Sequence, residues 1–261
     1  MAMELTPAQE AFKQEYIQKR GYWAEFNEGL LLYGQHFLET YMNYAALPAA
    51  EGPLSPRMVE LVYVAVDGSS THMFGEGLLI HTKLALARGA SPTDVIETLQ
   101  IATAQGLEGV TMGVEILVEE LRAAGQDTGF LTAPLNAEQL ALKAGWQARF
   151  GDWPDFAEQL LRLHPSYFAA MVELLAAPEA TGSLSASERC LIALALSACF
   201  THQNPAGTRL HIARALRAGA SKEEILQVLQ LTAHLGVHAC VLGVPVLMKA
   251  LEAQGKAAKS A

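Results

Sequence analysis

The sequence predicts an all-α protein built from two tandem copies of one helical unit, and three observations support this prediction. When the chain of 261 residues is aligned with itself at an offset of 130, residues 5–121 match residues 135–251 without a gap, with 34 identities in 117 positions. Alanine and leucine are abundant while only 7% of the residues are aromatic, which favours helices over a β-sandwich. No alternating run of strand length lies between turn signals.

The repeat predicts two units, residues 1–127 and 135–255, joined around Thr128–Pro134. Each unit is expected to contain a helix that starts after a capping serine, Ser55 in the first unit and Ser185 in the second. A proline at the first helical position supports the first start, and a glutamate at the third position supports the second.

A second helix should follow in each unit. In the second unit it begins after Asn204, and glycines that can adopt positive φ, Gly89 and Gly219, end it. Ser91 and Ser221 then cap a third helix. A glycine interrupts each third helix, and a last helix runs to about residue 121 or 251.

Composition and charge exclude several classes of protein. The net charge of −9 argues against nucleic acid or an anionic membrane surface as the partner. The longest apolar run, Cys190 to Phe200, is too short for a membrane span, and the N-terminus has no apolar signal segment.

Three cysteines without a CxxC motif do not form a disulfide framework, so we expect a cytoplasmic protein.

Two pairs of histidines occupy matching positions in the two units: His72 with His202, and His81 with His211. Histidine exchanges a proton near neutral pH, so these four residues are our candidates for catalysis. The alternative is a structural imidazole that hydrogen-bonds a backbone carbonyl at a helix end. Glu60 joins the candidates because it interrupts an apolar helix, where an unpaired carboxylate is costly and pairing with a histidine would relieve that cost.

The histidine spacing does not predict a metal site. His72 and His81 are nine residues apart, which places them on opposite faces of a continuous helix. No HxxxH or ExxH pair accompanies them. We therefore expect neither a metal nor another cofactor.

The substrate-binding candidates surround the histidines. Gly77 and Gly207 precede His81 and His211 by four residues, and each either opens space beside the imidazole or allows close helix packing. An anionic substrate would suit the second unit, where Arg209 and Arg214 lie near the histidine, whereas the first unit offers Glu60 and Glu76. Which unit is active stays open. The substrate-binding candidates are Thr71, Thr201, Glu76, Arg209, Gly77 and Gly207.

Two stretches resemble a known family. They are RMVELVYVAVDGSSTHMFGEGLLIHTKLALARGASPTDVIETLQIA in the first unit and SERCLIALALSACFTHQNPAGTRLHIARALRAGASKEEILQVLQLTAHLGVHA in the second, with the segment H…AL..GAS..EI..VL the most specific. They resemble the carboxymuconolactone decarboxylase family of the AhpD-like superfamily. The resemblance implies all-α units that assemble as trimers or hexamers, so a tandem chain would form a homotrimer with pseudo-sixfold symmetry.

The superfamily has two activities, and the resemblance distinguishes them by cysteines. The peroxidase branch carries a CxxC motif just ahead of the histidine that matches His81 and His211. Here those cysteine positions are Phe74 and Gly77 in the first unit, and Asn204 and Gly207 in the second. Thiol peroxidase chemistry needs a thiolate, so this version of the activity is not expected.

The decarboxylase branch lacks the cysteines and keeps the histidine. In that branch a cyclic lactone acid from aromatic catabolism loses CO₂ without a cofactor. The resemblance implies a carboxy-lyase acting on a small carboxylated lactone or keto acid, with His81 and His211 as proton donors. The chain departs from the family where Thr-His replaces acidic residues, which only Glu76 echoes. The alternatives are an AhpD-like redox protein and a non-catalytic helical oligomer that binds a ligand.

Overall fold

The structure is a computed structural model that describes residues 5–126 and 128–255. Within these two ranges the chain is helical and contains no β-strand, so the all-α prediction is confirmed. The last residue of the first predicted unit, residue 127, lies outside the described residues.

The first unit contains seven of the described helices. They are α1 (Pro7–Arg20), α2 (Glu25–Tyr33), α3 (Gln35–Glu51), α4 (Pro56–Gly68), α5 (Gly75–Ala87), α6 (Pro92–Thr103) and α7 (Glu108–Ala123). A 3-10 turn, Ala104–Leu107, separates α6 from α7.

The second unit repeats this order in its described residues. Its helices are α8 (Ala137–Phe150), α9 (Asp155–Leu163), α10 (Pro165–Thr181), α11 (Ala186–Ala198), α12 (Pro205–Arg217), α13 (Lys222–Thr232) and α14 (His238–Ala253). A 3-10 turn, Ala233–Val237, separates α13 from α14, and another, Gly129–Leu131, lies in the connection between the units.

The predicted helix boundaries are confirmed. The side chains of Ser55, Ser185 and Asn204 each accept a hydrogen bond from a backbone N–H in the first turn of the helix that follows. Gly89 and Gly219 both have a φ of +91° after the second helix, a conformation that glycine adopts without a steric penalty. Each unit thus obeys the same local rules.

The central core is made by α4 and α11, the corresponding helices of the two units. They pack on each other and on α6 and α13. Every residue of α4 from Met58 to Asp67 is buried, including two carboxylates. A helix buried on all sides tolerates such groups only when they are paired or have a role in a site.

The two units exchange their last helices. Helix α14 of the second unit packs on α2 of the first, and α7 of the first unit packs on α9 of the second. Accordingly, Val237 and Val241 belong to the same apolar cluster as Tyr16 and Leu38, while Val114 packs into the equivalent cluster around Trp146. The sequence repeat and the packing units therefore do not coincide.

Reciprocal buried hydrogen bonds accompany the exchange. The Gln227 side chain accepts from the backbone N–H of Leu54 at 2.8 Å and donates to the carbonyl of Pro48 at 2.6 Å. At the equivalent place in the other unit, Glu97 accepts from the backbone N–H of Leu184 at 2.9 Å. Each unit thereby satisfies a buried backbone donor of the other.

Two helical stretches, Pro92–Ala123 and Lys222–Ala253, are long and apolar enough to cross a membrane by length and composition alone. Only 22% and 28% of their most apolar windows are buried. Since each stretch is broken by a 3-10 turn and belongs to the exchanged packing, the structure gives no positive sign of a membrane span. Much apolar surface stays uncovered on these helices.

Replacing Gln227 by leucine tests the reciprocal bonds. The substitution keeps the side-chain volume but leaves the buried N–H of Leu54 without an acceptor, so we expect a loss of about 1–3 kcal/mol in the free energy of unfolding, measured by urea denaturation. Gln230, three residues later and exposed, provides the matched control, because Gln230→Leu should change stability by less than about 0.5 kcal/mol. Equal effects of the two substitutions would refute the assigned role of Gln227.

Candidate active site

A small polar cavity lies where the first unit meets the exchanged end of the second. Its volume is about 20 Å³, enough for about one ordered water molecule. Its lining residues are Arg20, Tyr22, Tyr41, Tyr63, Asp67, His81, His234, Leu235, Val237 and His238. The cavity is therefore composite, because α1, α3, α4 and α5 come from the first unit while the 3-10 turn before α14 and α14 itself come from the second.

His81, on α5, is held by a buried carboxylate. Its Nδ1 lies 2.6 Å from Oε2 of Glu60 on α4, and Glu60 also accepts from Arg88 at the end of α5. The imidazole stacks on the ring of Tyr63 at a centroid distance of 4.4 Å. Because a carboxylate only accepts, Nδ1 carries the hydrogen, and Nε2 is the ring nitrogen left to exchange a proton. The pairing suggested by the sequence is thus present.

Arg20, the last residue of α1, is a buried cation in this cavity. Its Nη1 donates to the carbonyl of Ala45 at 2.7 Å, and its guanidinium lies over the ring of Tyr22. Its Nε has no hydrogen-bond partner among the described residues. A buried guanidinium with an unused donor is suited to an oxyanion of a ligand.

The second unit supplies His234 to the same cavity. Its Nδ1 lies 2.5 Å from the hydroxyl of Tyr63, and its carbonyl accepts from the hydroxyl of Tyr41 at 3.4 Å. Burial, with Arg20 adding to it, lowers the pKa of His234 to about 3. Burial raises the pKa of the Tyr63 hydroxyl above its usual value, so both groups are neutral at pH 7.

Asp67, His72 and His238 form the outer part of the site. Burial, with Glu60 adding to it, raises the pKa of Asp67 to about 8. Asp67 also fills the space beside Gly77, because a β-carbon at residue 77 would lie 2.3 Å from its Oδ2. Gly77 therefore serves close packing between α4 and α5.

The equivalent region of the second unit carries different side chains. Arg214 is held by Asp152 through two hydrogen bonds of 2.7 and 2.9 Å, and it covers the ring of Phe150. His211 is partly buried beside it, and burial, with Arg214 adding to it, lowers the pKa of His211 to about 4. The neighbouring Cys190 replaces Glu60, so His211 has no matching carboxylate at that position.

The remaining candidates lie outside the cavity. His202 and Asn204 both pair with Glu108, which lies at the start of α7 from the first unit. The hydroxyls of Thr71 and Thr201 lie 3.4 Å apart, so these threonines meet each other where the units join.

Glu76, Arg209 and Gly207 also lie outside the lining of the cavity. Glu76 is exposed at the start of α5. Arg209 is exposed on a wide groove of about 750 Å³ along α12, apart from His211. Gly207 packs against Asn204 and Ser197, as Gly77 packs against Asp67.

Most cavity residues do not recur at the matching position of the other unit. Arg20, Tyr41, Tyr63 and His234 are unlike their equivalents in the second unit, which are Phe150, Met171, Ala193 and Ala104. A search for positions that are polar in one unit and apolar or small in the other would have found them.

Comparisons with known proteins agree with the tandem architecture. The model of the carboxymuconolactone decarboxylase family matches residues 35–113 and 165–254. A crystal structure from Burkholderia xenovorans LB400, provisionally described as a gamma-carboxymuconolactone decarboxylase subunit, superposes with a TM-score of 0.90 at 30% sequence identity. The match covers 96% of this chain and 100% of the other. A search of curated proteins gives no match.

The low pKa of His211 predicts a pH-dependent contribution to stability. Between about pH 6.5 and pH 4 the unfolded chain binds a proton at His211 and the folded chain does not, so this contribution is lost as the pH falls through that range. His211→Gln should therefore gain up to about 2 kcal/mol relative to the parent when the pH drops from 7.5 to 5. Urea denaturation of both proteins at both pH values measures this change, and a pH-independent difference would contradict it.

Proposed function

Because the chain belongs to the carboxymuconolactone decarboxylase family, we propose that it is a carboxy-lyase that removes CO₂ from a small carboxylated lactone or keto acid, as in aromatic-compound catabolism. The observation that carries this proposal is the composite cavity, where a carboxylate-paired imidazole and a buried guanidinium face the same space. No resident cofactor takes part in the proposed reaction.

Decarboxylation of such an acid requires two catalytic functions from the protein. As the bond to the carboxylate carbon breaks, its electron pair moves into the adjacent carbonyl and forms an enolate. The negative charge on the enolate oxygen must be stabilised, and a proton must then be delivered to carbon. The cavity contains a candidate group for each function, Arg20 for stabilising the charge and His81 for delivering the proton.

His81 is the proposed proton donor. Glu60 accepts from Nδ1 at 2.6 Å, fixes the ring orientation and stabilises the imidazolium form that must carry the proton. The stack on Tyr63 prevents the ring from turning away. We assign this role to His81 rather than His211, because Cys190 stands where Glu60 would pair with His211 and because burial lowers the pKa of His211, which favours its neutral form at pH 7.

Arg20 is the proposed stabiliser of the enolate. Its unused Nε lies in a buried site, where a charged hydrogen bond to a developing oxyanion is stronger than in water. Leu235 and Val237 add an apolar wall to the cavity. An apolar environment favours loss of a carboxylate as neutral CO₂, because the carboxylate is poorly solvated there.

Substrate entry requires rearrangement of the cavity. A space of about 20 Å³ accepts a water molecule but not a ring with a carboxylate. Tyr22 and Tyr41 lie on the first-unit side, and the exchanged turn with His234 lies on the other side. We propose that movement between these two sides admits the substrate.

The chemistry of the cysteines disfavours the redox alternative. Burial raises the pKa of both Cys190 and Cys199, which suppresses the thiolate that peroxidase chemistry needs. All three cysteines are free, which supports the proposed cytoplasmic location.

We also propose that the chain forms a homo-oligomer, a trimer with pseudo-sixfold symmetry. The two units expose apolar side chains at equivalent positions: Met112, Ile116 and Leu117 on α7, and Leu242, Val246 and Leu247 on α14. The exposed fractions are 61% for Met112 and 74% for Leu242. An apolar face repeated on both units is suited to two equivalent contacts with neighbouring copies.

Replacing His81 by asparagine tests the proposed chemistry. We expect kcat to fall by about 100-fold or more, because general acid catalysis is lost while the ring's place is filled by a polar group. The assay measures CO₂ release from 4-carboxymuconolactone and a panel of small lactone and β-keto acids, with the rate in buffer subtracted.

His211→Asn is the matched control for that test, since it removes the equivalent histidine of the second unit. It should leave kcat within about twofold of the parent if the first unit holds the site. Absence of CO₂ release from every acid, or an unchanged rate in His81→Asn, would refute the proposal.

Sedimentation velocity tests the proposed assembly. The parent protein should sediment with three times the mass of the chain, and Met112→Glu with Leu242→Glu should yield the single chain, because each places a charge in an apolar contact. A double change of exposed glutamates on the same helices, Glu119→Gln with Glu252→Gln, serves as control and should keep the trimer. A parent protein of single-chain mass would refute the assembly.

A further inference from the structure

Three potential ligands converge beside the cavity, and the proposed decarboxylation does not use them. The side chains of Asp67, His72 and His238 each offer one ligand atom, and these atoms all lie within 4.8 Å of one another. Nε2 of His72 lies 2.6 Å from Nδ1 of His238 and 3.9 Å from Oδ1 of Asp67. The planes of the two imidazole rings are nearly parallel, with an angle of 7° between them.

We propose that Asp67, His72 and His238 bind one divalent transition-metal ion of the Zn²⁺ class. Two imidazole nitrogens and one carboxylate oxygen form a donor set that such ions prefer, with a further position left for water. The cavity next to these residues has room for about one water molecule, which is the fourth ligand that a tetrahedral ion requires.

The hydrogen bonds of the cluster do not satisfy the buried carboxyl group of Asp67. Asp67 is only 1% exposed, and its Oδ2 has no hydrogen-bond partner among the described residues. The hydrogen bond between the two imidazoles places one proton between their nitrogens and provides no donor for the Asp67 carboxyl group. A divalent ion at this point would satisfy all three side chains together.

Binding an ion would require the three side chains to adjust. Ligand atoms about 2.0–2.1 Å from a tetrahedral ion lie about 3.3 Å from one another. The two ring nitrogens, 2.6 Å apart, would have to separate, and Asp67, 3.9 Å from His72, would have to approach. Since all three ligand atoms lie within 4.8 Å of one another, no pair would have to close by more than about 1.5 Å.

The ligands come from both units. Asp67 lies near the end of α4 and His72 in the turn before α5, whereas His238 is the first residue of the exchanged helix α14. The ion would therefore tie the exchanged helix to the first unit. This origin explains why spacing within one unit does not reveal the site.

The second unit provides an internal contrast. The positions equivalent to Asp67, His72 and His238 are Ser197, His202 and Glu108, and His202 pairs directly with Glu108. A serine hydroxyl is a weak ligand for this class of ion. We therefore infer one metal site per chain.

Titration of the untagged, metal-stripped protein with Co²⁺ tests the site, since Co²⁺ bound in a tetrahedral or five-coordinate nitrogen and oxygen site absorbs in the visible region. We expect one equivalent to bind, and Zn²⁺ to displace it. His72→Gln and His238→Gln should each weaken binding by at least about tenfold, the smallest effect expected when a ligand rather than its supporting partner is removed.

His202→Gln is the matched control and should leave the spectrum and the stoichiometry unchanged. Asp67→Asn, which keeps the side-chain shape, should weaken binding if the histidine variants do not fold, and circular dichroism of the stripped proteins checks folding. Binding of less than 0.1 equivalent at about 100 µM Co²⁺, or full binding by His238→Gln, would overturn the proposal. Because the decarboxylation proposed above needs no metal, its assay on stripped protein is an independent result.

Discussion

The structure depends on the exchange of terminal helices between the two units. A single unit would leave the apolar face of its second helix, α2 or α9, uncovered, because the helix that covers it belongs to the other unit. The side chains of Glu97 and Gln227 make the exchange specific. Each accepts a hydrogen bond from a buried backbone N–H of the other unit. A buried donor without an acceptor costs more than an ordinary hydrogen bond contributes, so these contacts favour one mutual arrangement of the units.

The exchange also determines the composition of the site. His81 and Glu60 lie on neighbouring helices of the first unit. His234 contacts Tyr63, and His238 contacts His72, only because the last helix of the second unit packs on the first unit. The 3-10 turn Ala233–Val237 and α14 therefore belong to the site of the first unit, and Glu108 at the start of α7 pairs with His202 of the second unit. The exchange therefore brings residues of both units together at two equivalent places, and the side chains differ between them.

The sequence predicts the fold well and the site only in part. Local rules of capping and positive φ set the helix boundaries, and the self-match reveals two units, so these features need no tertiary information. The pairing of Glu60 with His81 follows from the cost of burying a carboxylate. Arg20 and His234 could not be predicted in this way, because they reach the cavity from the two ends of the chain through the exchange. The same holds for the approach of His238 to His72, which spacing along one helix cannot show.

The second unit serves as an internal control for the meaning of the polar cavity. The same backbone arrangement packs with Phe150, Ala193 and Cys190 where the first unit carries Arg20, Tyr63 and Glu60. Apolar side chains are therefore compatible with this fold at those positions, and folding does not require the buried charges. Among the described residues neither Nε of Arg20 nor Oδ2 of Asp67 has a hydrogen-bond partner, and buried polar atoms of this kind lower stability. A buried guanidinium that costs stability, and that the fold can replace with Phe150, is best explained by a ligand that it binds.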